Sequence, residues 1–595
     1  MNPQSIRIGC ASGFWGDSTI STPQLLASGN LNYLVFDYLA EITMSIMARA
    51  RAKDPAQGYA TDFVTTTMKN ALALIAKQGV KVVSNAGGVN PAACAQALEA
   101  LIRDAGLSLK VATVTGDDVM DRMEAYRAAG AREMFSGEPM PSKFLSANAY
   151  LGAFPIAAAL AKGADIVVTG RIVDSAVTLG PCIYEFGWTP GDYDRLAQGS
   201  LAGHIIECGA QATGGLFTDW DTTGPWENIG YPIAEVDPDG NFTVTKPGGT
   251  GGIVNRQTVA EQLVYEIGDP QAYILPDVVC DFSRVLIEDT GPNRARVSGA
   301  IGAKPTDRLK VSATWQDGYR LGAYLSIRGI DAPGKARKTA DAVLARVRGI
   351  LKRLGAPDLT EVDIEIIGTE AGYGPHSRVT APREVMLKLA AKHVSQDALG
   401  LLLRELTSSG TSMSPGTSGM GGNRAKPSPV VRLFSMTVDR SSIVPEVSMG
   451  GETAPSPFSA GAPLDLARIV RPEIADAPAG AGAFVEVPLI KIAHGRSGDK
   501  GNDSNIGIIA RKPEYFPILR RELTAEAVRE YFGYLMKGNV ERFDLPGIQA
   551  INFLLRESLG GGGIASLRND PQGKAYAQIL LDMPIRVPEA LARGI

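Results

Sequence analysis

The sequence predicts an α/β protein: an amino-terminal, mostly parallel sheet with helices, an α+β second part, and a small carboxy-terminal α+β unit. Three observations carry this. Through residue 200, short apolar runs ending in Gly, Asn, Asp or Thr alternate with helical patterns, the rhythm of a parallel sheet with its loops gathered at the carboxyl edge. Beyond that point the rhythm changes to paired β stretches and one long amphipathic helix. Finally, RPEIADAPAGAGA, residues 471–483, has the composition of a linker. The expected divisions are a region 1–450, made of an α/β core (1–200) and an α+β part (201–450), a linker at 451–484, and a last unit at 485–595.

In order, SIRIGCASG reads as a strand into a glycine turn, TPQLLASG as a short helix, and NYLVFDYLAEITMSIMARARAK as a strand that becomes a helix. VKVVSNAGG is again a strand into a glycine turn, followed by a helix (PAACAQALEALIRDAG), a strand (LKVATVTGDD), a helix (AYLGAFPIAAALAKG) and a strand (ADIVVTGRIVDSA). GHIIECGAQATGG starts helical and then turns, and YPIAEVDPDGNFTVTKPGGTGG is a pair of strands around a D-G turn. VSATWQDGYRLGAYLSIRG continues in β style, DAPGKARKTADAVLARVRGILKRLG is the long helix, and VDIEIIGTEAG is a strand. The turn-rich stretch 408–430 reads as a flap or a substrate-lining loop. In the last unit, VEVPLIKIA and NIGIIAR read as buried strands, and the charged AHGRSGDKG between them as a tight connection displayed by a rigid scaffold.

Composition narrows the class. At 595 residues the chain exceeds one core. With 45% hydrophobic and 21% charged residues and a net charge of −4, it has no basic excess to neutralise phosphates, so no nucleic-acid partner is expected. No membrane role is expected either: apolar stretches such as ALGLLLREL are broken by charge well short of the roughly 20 residues a span requires, and MNPQSIRIGCASG has no signal-peptide pattern. Cys10, Cys94, Cys182, Cys208 and Cys280 are odd in number and widely spaced, which argues against a disulfide framework or a structural zinc site and for a reducing, cytoplasmic setting.

The candidate site residues cluster at strand ends. In GCASGFWGDS, Gly13 lies in a turn whose backbone N–H groups suit an anion, with Asp17 the one ionisable group; a tight turn without a ligand explains it as well. Asp37 and Glu41 are four apart, expected on one face of a helix within an apolar run, where burial and repulsion raise a pKa for acid/base work or divalent-metal binding; reaching solvent or pairing with Arg or Lys is the plainer alternative. SNAGGVNP offers Asn85 beside Gly87 and Gly88 to position a carbonyl or carboxylate. TGRIVDS adds Arg171, Asp174 and Ser175; an Arg171–Asp174 ion pair accounts for the first two equally well. HIIEC places His204, Glu207 and Cys208 at helical spacing, a poor metal set but a reasonable base, His204, oriented by Glu207. Glu370 and His376 sit on a further glycine turn. In the last unit, His494, Arg496, Asp499 and Lys500 are expected to form a lid or clamp over the amino-terminal loops.

SGFWGD, YLAEITM, NAGGVNP, GADIVVTGRIVDSA, GHIIECGAQATGG, GYPIAEV, TKPGGTGGIVNRQTVAEQL and RSGDKGNDSNIG, in that order, resemble the acyclic terpene utilisation protein A family over almost the whole chain. The resemblance implies a long region to about residue 450 and a ferredoxin-fold-like domain from about 485. It implies acyl-CoA catabolism of branched or terpenoid acids, with a lyase or hydratase acting on a 3-hydroxyacyl- or enoyl-CoA thioester. Beside it, the residues lead us to expect no cofactor other than the coenzyme A of the substrate, no metal-ligand set, and a homo-oligomer, with a need for a divalent metal left open. The resemblance carries over no catalytic residues. The competing class is a non-catalytic subunit or scaffold that binds an acyl-CoA carboxylase or hydratase.

Overall fold

The computed structural model describes residues 5–419, 425–474 and 483–594. At its centre is an eleven-stranded sheet. Five strands run parallel in its middle, in the order Ile6–Cys10, Tyr33–Phe36, Lys81–Ser84, Ile166–Thr169 and Val111–Thr115. Both faces of these strands are covered, which is why YLVF and IVVT are apolar without a break. The two-residue period divides them: Tyr33, Val35, Val83 and Val167 join one core with the helices Phe154–Ala161, Ala176–Phe186 and Tyr193–Ile206. Leu34, Phe36, Val82 and Ile166 join a second core with Ser21–Ala27, Lys69–Gln78 and Pro91–Asp104.

Antiparallel strands extend the sheet on both sides. Ile233–Val236 pairs with Ile6–Cys10 and is followed outward by Phe242–Thr245, Arg294–Ser298 and Leu286–Gly291. On the far side Glu446–Met449 pairs with Val111–Thr115, and Glu452–Pro455 follows. The segments read as α+β are therefore divided between this sheet and a second one built on the long strand Arg308–Arg328. That strand pairs along its first half with Ser428–Asp439 and Ser146–Ala149, and along its second with Glu384–His393 and Thr417–Gly419. Helices Ala332–Arg353 and Gln396–Ser412 pack on it around their own core. Of the expected flap at 408–430, residues 420–424 lie outside the described residues.

The carboxy-terminal unit has four antiparallel strands in the spatial order Ala493–Lys500, Asp503–Ala510, Ala550–Leu555, Val540–Leu545. Helices Phe516–Glu522 and Ala525–Phe532 link its two hairpins. Two expectations are corrected. AHGRSGDK is a strand, with six of its eight residues buried, and the turn is at Gly501 and Asn502. The strand is polar because it packs on polar groups of the amino-terminal part, so its composition imitates a loop. Second, Asp37 and Glu41 do not share a helix face: Asp37 lies in the connection after Tyr33–Phe36, and Glu41 is the first residue of the helix Glu41–Lys53.

Candidate functional site

The loops after the parallel strands are tied together at the carboxyl edge of the sheet, where open α/β sheets carry their ligands. The N–H of Asp37 donates to the carbonyl of Ser12 at 2.9 Å, joining the first two loops. The Asn85 amide donates to Asp37 Oδ1 at 2.5 Å and its oxygen accepts from the Tyr38 N–H at 2.7 Å, joining the third. Arg171 donates to the Leu39 carbonyl at 2.9 Å, joining the fourth. Asp117 accepts the Arg171 N–H at 2.9 Å and the Asn148 amide at 2.8 Å, joining the last.

Arg171 is 3% exposed and is the hub. It also donates to Asp174 Oδ1 at 2.9 Å and to the Tyr150 hydroxyl at 3.2 Å, and its guanidinium lies 4.5 Å from the centre of the Tyr150 ring. Its Nε is buried and has no partner among the described residues. Tyr150 in turn donates to Glu41 at 2.5 Å, and Lys310 stands 3.8 Å from the same carboxylate. Burial alone would raise Glu41, but Lys310 and Arg171 outweigh it and hold the carboxyl at about 2. Asp37 goes the other way: burial, with Asp174 beside it, pushes it well above the usual range despite the Asn85 amide. Asp174 is raised by burial and pulled back by Arg171. Glu207 is raised well above its ordinary value by burial and then by Asp174. Glu41 is thus favoured as a carboxylate, while Asp37, Asp174 and Glu207 are all driven toward the protonated form.

The remaining predicted residues fall into two groups. His204 is 1% exposed, with its ring beside those of Tyr273 and Phe282. Its Nδ1 lies 3.2 Å from Glu207 Oε1 and its Nε2 3.1 Å from the Leu263 carbonyl. Burial, aided by Lys500, lowers it to about 4. Asp17 accepts from the Gly13 N–H at 2.9 Å and the Tyr231 hydroxyl at 2.7 Å, closing its own turn. Gly13 passes so close to the backbone of Cys208 that a Cβ would stand 2.7 Å from its carbonyl carbon. Gly87 likewise abuts the carbonyl of Thr169, Gly88 abuts Met47, and Ser175 packs under Gly203. His376 stacks on Tyr531 at 3.9 Å, on a different face of the carboxy-terminal unit.

On the strand Ala493–Lys500, His494, Arg496 and Lys500 alternate toward the amino-terminal part. His494 Nε2 lies 3.0 Å from Asp219, which also accepts from Arg511 at 2.7 and 2.6 Å. Arg496 donates to the Leu216 carbonyl at 3.1 Å and to Gln211, over the Tyr265 ring. Asp499 does not bridge Arg496 and Lys500: it faces the other way, 3.1 Å from Lys574, and burial with Glu266 nearby raises it to about 6. Lys500 is exposed and its side chain has no hydrogen bond or ion pair among the described residues; its Nζ lies 5.9 Å from the Tyr273 ring centre. Its charge acts on Asp174, Glu207 and Glu266. Tyr150, Asp117 and Lys310 escaped the sequence reading. Asp117 had a signal, its place after a strand in TVTGDD, whereas Tyr150 and Lys310 meet only through long-range strand pairing.

A groove of about 400 Å3 opens at the same edge, walled by Ala48, Ala52, Val89, Met120, Leu145 and Ala147, with Arg51 and Asp118 among its polar groups. Four segments that supply site residues also supply walls: the helix of Glu41, the loop of Asn85, the loop of Asp117 and the strand leading to Tyr150. Among the described residues, no three of His, Cys, Asp and Glu are grouped to hold a metal ion, and no helix is long and apolar enough to cross a membrane.

The family model described as "Acyclic terpene utilisation family protein AtuA" matches residues 6–449. The chain belongs to the AtuA family. The AtuA ferredoxin-like domain matches residues 487–586, the four-stranded unit that brings Lys500 to the edge of the site. No curated protein matches the chain.

Proposed function

We propose that this AtuA-family protein is an acid–base lyase of branched-acid catabolism, acting on a 3-hydroxyacyl- or enoyl-CoA thioester. The acyl-CoA class is drawn from the resemblance to a family of terpene utilisation; the chemistry is drawn from the site. The observation that carries it is the clustering of Asp37, Asp174 and Glu207 around Arg171 and Lys500, where burial drives all three carboxyls toward the protonated form and the two cations oppose it. Breaking a C–H bond beside a thioester needs an ionised base, and expelling a hydroxyl needs an acid.

Asp174 suits the base. Its side chain is 36% exposed, the most open of these carboxyls, and Arg171, 2.9 Å away, opposes the burial that raises it. Arg171 also places a fixed positive charge beside Asp174, where an enolate oxygen develops. In elimination, Asp174 takes the C2 proton, the C–H electrons form the double bond, and the C3 hydroxyl leaves as water after taking a proton from a neutral carboxyl. In carbon–carbon cleavage, Asp174 takes the hydroxyl proton, the C2–C3 bond breaks, and the same acid protonates C2. The groove along the helix Glu41–Lys53 offers apolar walls to the acyl chain.

Incubation of the purified protein with branched 3-hydroxyacyl- and enoyl-CoAs, followed by product mass spectrometry, tests this. Gain or loss of water identifies a hydratase, and two shorter carbonyl products identify a carbon–carbon lyase. No product from any thioester, together with stable capture of an acyl-CoA carboxylase or hydratase, would replace the enzyme with a scaffold.

A further inference from the structure

His204 and Glu207 share one proton across the contact between Nδ1 and Oε1, and its position follows from their partners. The Leu263 carbonyl can only accept, so Nε2, 3.1 Å away, carries hydrogen. Nδ1 faces Glu207 Oε1 at 3.2 Å. That contact is favourable in two forms: an imidazolium against a carboxylate, or a neutral imidazole accepting from a carboxylic acid. The ring is 1% exposed and flanked by Tyr273 and Phe282, where separated charges cost more than a neutral hydrogen bond.

We infer that Glu207 is the protonated acid of the site, and that His204 is its positioning residue rather than a base. This rests on the acid–base reading above and assigns the proton that reading requires. A carboxylate at Glu207 would face the Nδ1 lone pair, so the ring keeps the carboxyl protonated. The surrounding groups are Asp174 and Arg171 from the loop after Ile166–Thr169, Asp37 from the loop after Tyr33–Phe36, Glu266 after the helix Arg256–Leu263, Tyr273, and Lys500 from the carboxy-terminal hairpin. Burial and Asp174 raise Glu207, Glu266 adds to them, and Lys500 and Arg171 oppose. In the reaction the Glu207 hydroxyl turns from Nδ1 to the leaving hydroxyl, or to C2 in cleavage, gives up its proton there, and the carboxylate takes one back from solvent.

The test needs no substrate. In the unmutated protein at neutral pH, nitrogen NMR of labelled histidine is expected to show His204 as the neutral Nε2–H tautomer. Infrared difference spectra against Glu207→Gln are expected to show a protonated carboxyl stretch that the variant loses. An imidazolium or Nδ1–H signal for His204, or no such stretch, overturns the assignment. Once a substrate is in hand, kcat/KM should fall as pH rises through the raised pKa of Glu207. His204→Asn, which keeps an acceptor near Nδ1, should retain that limb, and His204→Phe should displace it. If both variants leave the limb where it is, His204 is merely structural. The expected spectra without turnover of any thioester would sink the lyase reading alone; turnover with an imidazolium would sink this assignment alone.

Discussion

Asp117 fixes the backbone of Arg171: its Oδ2 accepts the Arg171 N–H at 2.9 Å, and Gly170 beside it has no space for a Cβ. The carboxyl is itself fully enclosed, and burial raises it to about 6. Asp117→Ala leaves a buried N–H and the Asn148 amide without acceptors, at about 1–3 kcal/mol for each. Chemical denaturation should record that loss. Because Arg171 would also shift against the reacting carbonyl, kcat/KM should fall by more than tenfold in protein that remains folded. Unchanged kinetics in a destabilised variant would make Asp117 a packing residue only.

Arg496 and Lys500 lie on the same strand but should separate cleanly. Arg496 is committed to Leu216 and Gln211 at the junction of the two family domains, whereas Lys500 has no such partner among the described residues. Arg496→Ala should lower Tm, since a buried side chain with charge-assisted bonds is lost, at a cost in stability of roughly 1.5–3 kcal/mol per bond. Lys500→Ala should leave Tm within error and weaken turnover or substrate binding about tenfold. Thermal melts and steady-state kinetics on the two variants decide the matter; the reverse pattern would make the hairpin tip the fastening.

Much of this site was legible because each of its loops follows a buried strand. YLVF, KVVS and IVVT announce strands buried on two faces, and Asp37, Asn85 and Arg171 come directly after them. What was hidden depends on distant partners. AHGRSGDK imitates a turn because its burial is against Asp219, Gln211 and Thr218, which no local pattern reveals. Asp37 and Glu41 imitate a helical pair because the break between strand and helix falls between them. The spacing of His204 and Glu207 was readable, but which of them holds the proton depends on the carbonyl of Leu263, 59 residues from His204.

The domain junction should weaken as pH rises. Glu261 is 3% exposed; Oε1 accepts the Thr218 N–H at 3.1 Å, and Oε2 is buried without a partner among the described residues. Burial raises the carboxyl from 4.5 to about 7. Between those values the folded protein keeps a proton that the unfolded chain has released, so stability falls as pH rises from about 4.5 to 7 and is level above. The whole effect is at most about 3 kcal/mol at one site. Glu261→Gln keeps an oxygen for Thr218 and removes the titration. Denaturation midpoints at pH 5 and pH 8 should therefore differ less in the variant than in the native protein; an equal difference would mean that Glu261 is not what titrates.

The groove beside the site should set which acyl chains are accepted. Ala48 and Ala52 lie on the helix that begins with Glu41, and Ala48 is seven residues on, about 10 Å along the axis at 1.5 Å per residue. A thioester carbonyl held at Arg171 thus leaves room for a chain of moderate length before it reaches Ala48, with Leu145, Ala147 and Val89 forming the other walls and Met120 flexible enough to fit a branch. Ala48→Phe fills this space from a partly exposed helix position, so folding should be little affected. Short thioesters such as 3-hydroxybutanoyl-CoA should bind and turn over as before, while 3-hydroxyoctanoyl-CoA and longer or branched analogues should show KM raised about tenfold, the worth of one or two methylenes excluded from an apolar pocket. Because the phenyl ring does not touch Asp174 or Glu207, kcat on short substrates should stay constant. If Ala48→Phe lowers every substrate alike, the groove is coupled to the site through the helix and does not hold the chain; if it lowers none, the chain lies elsewhere along the sheet edge.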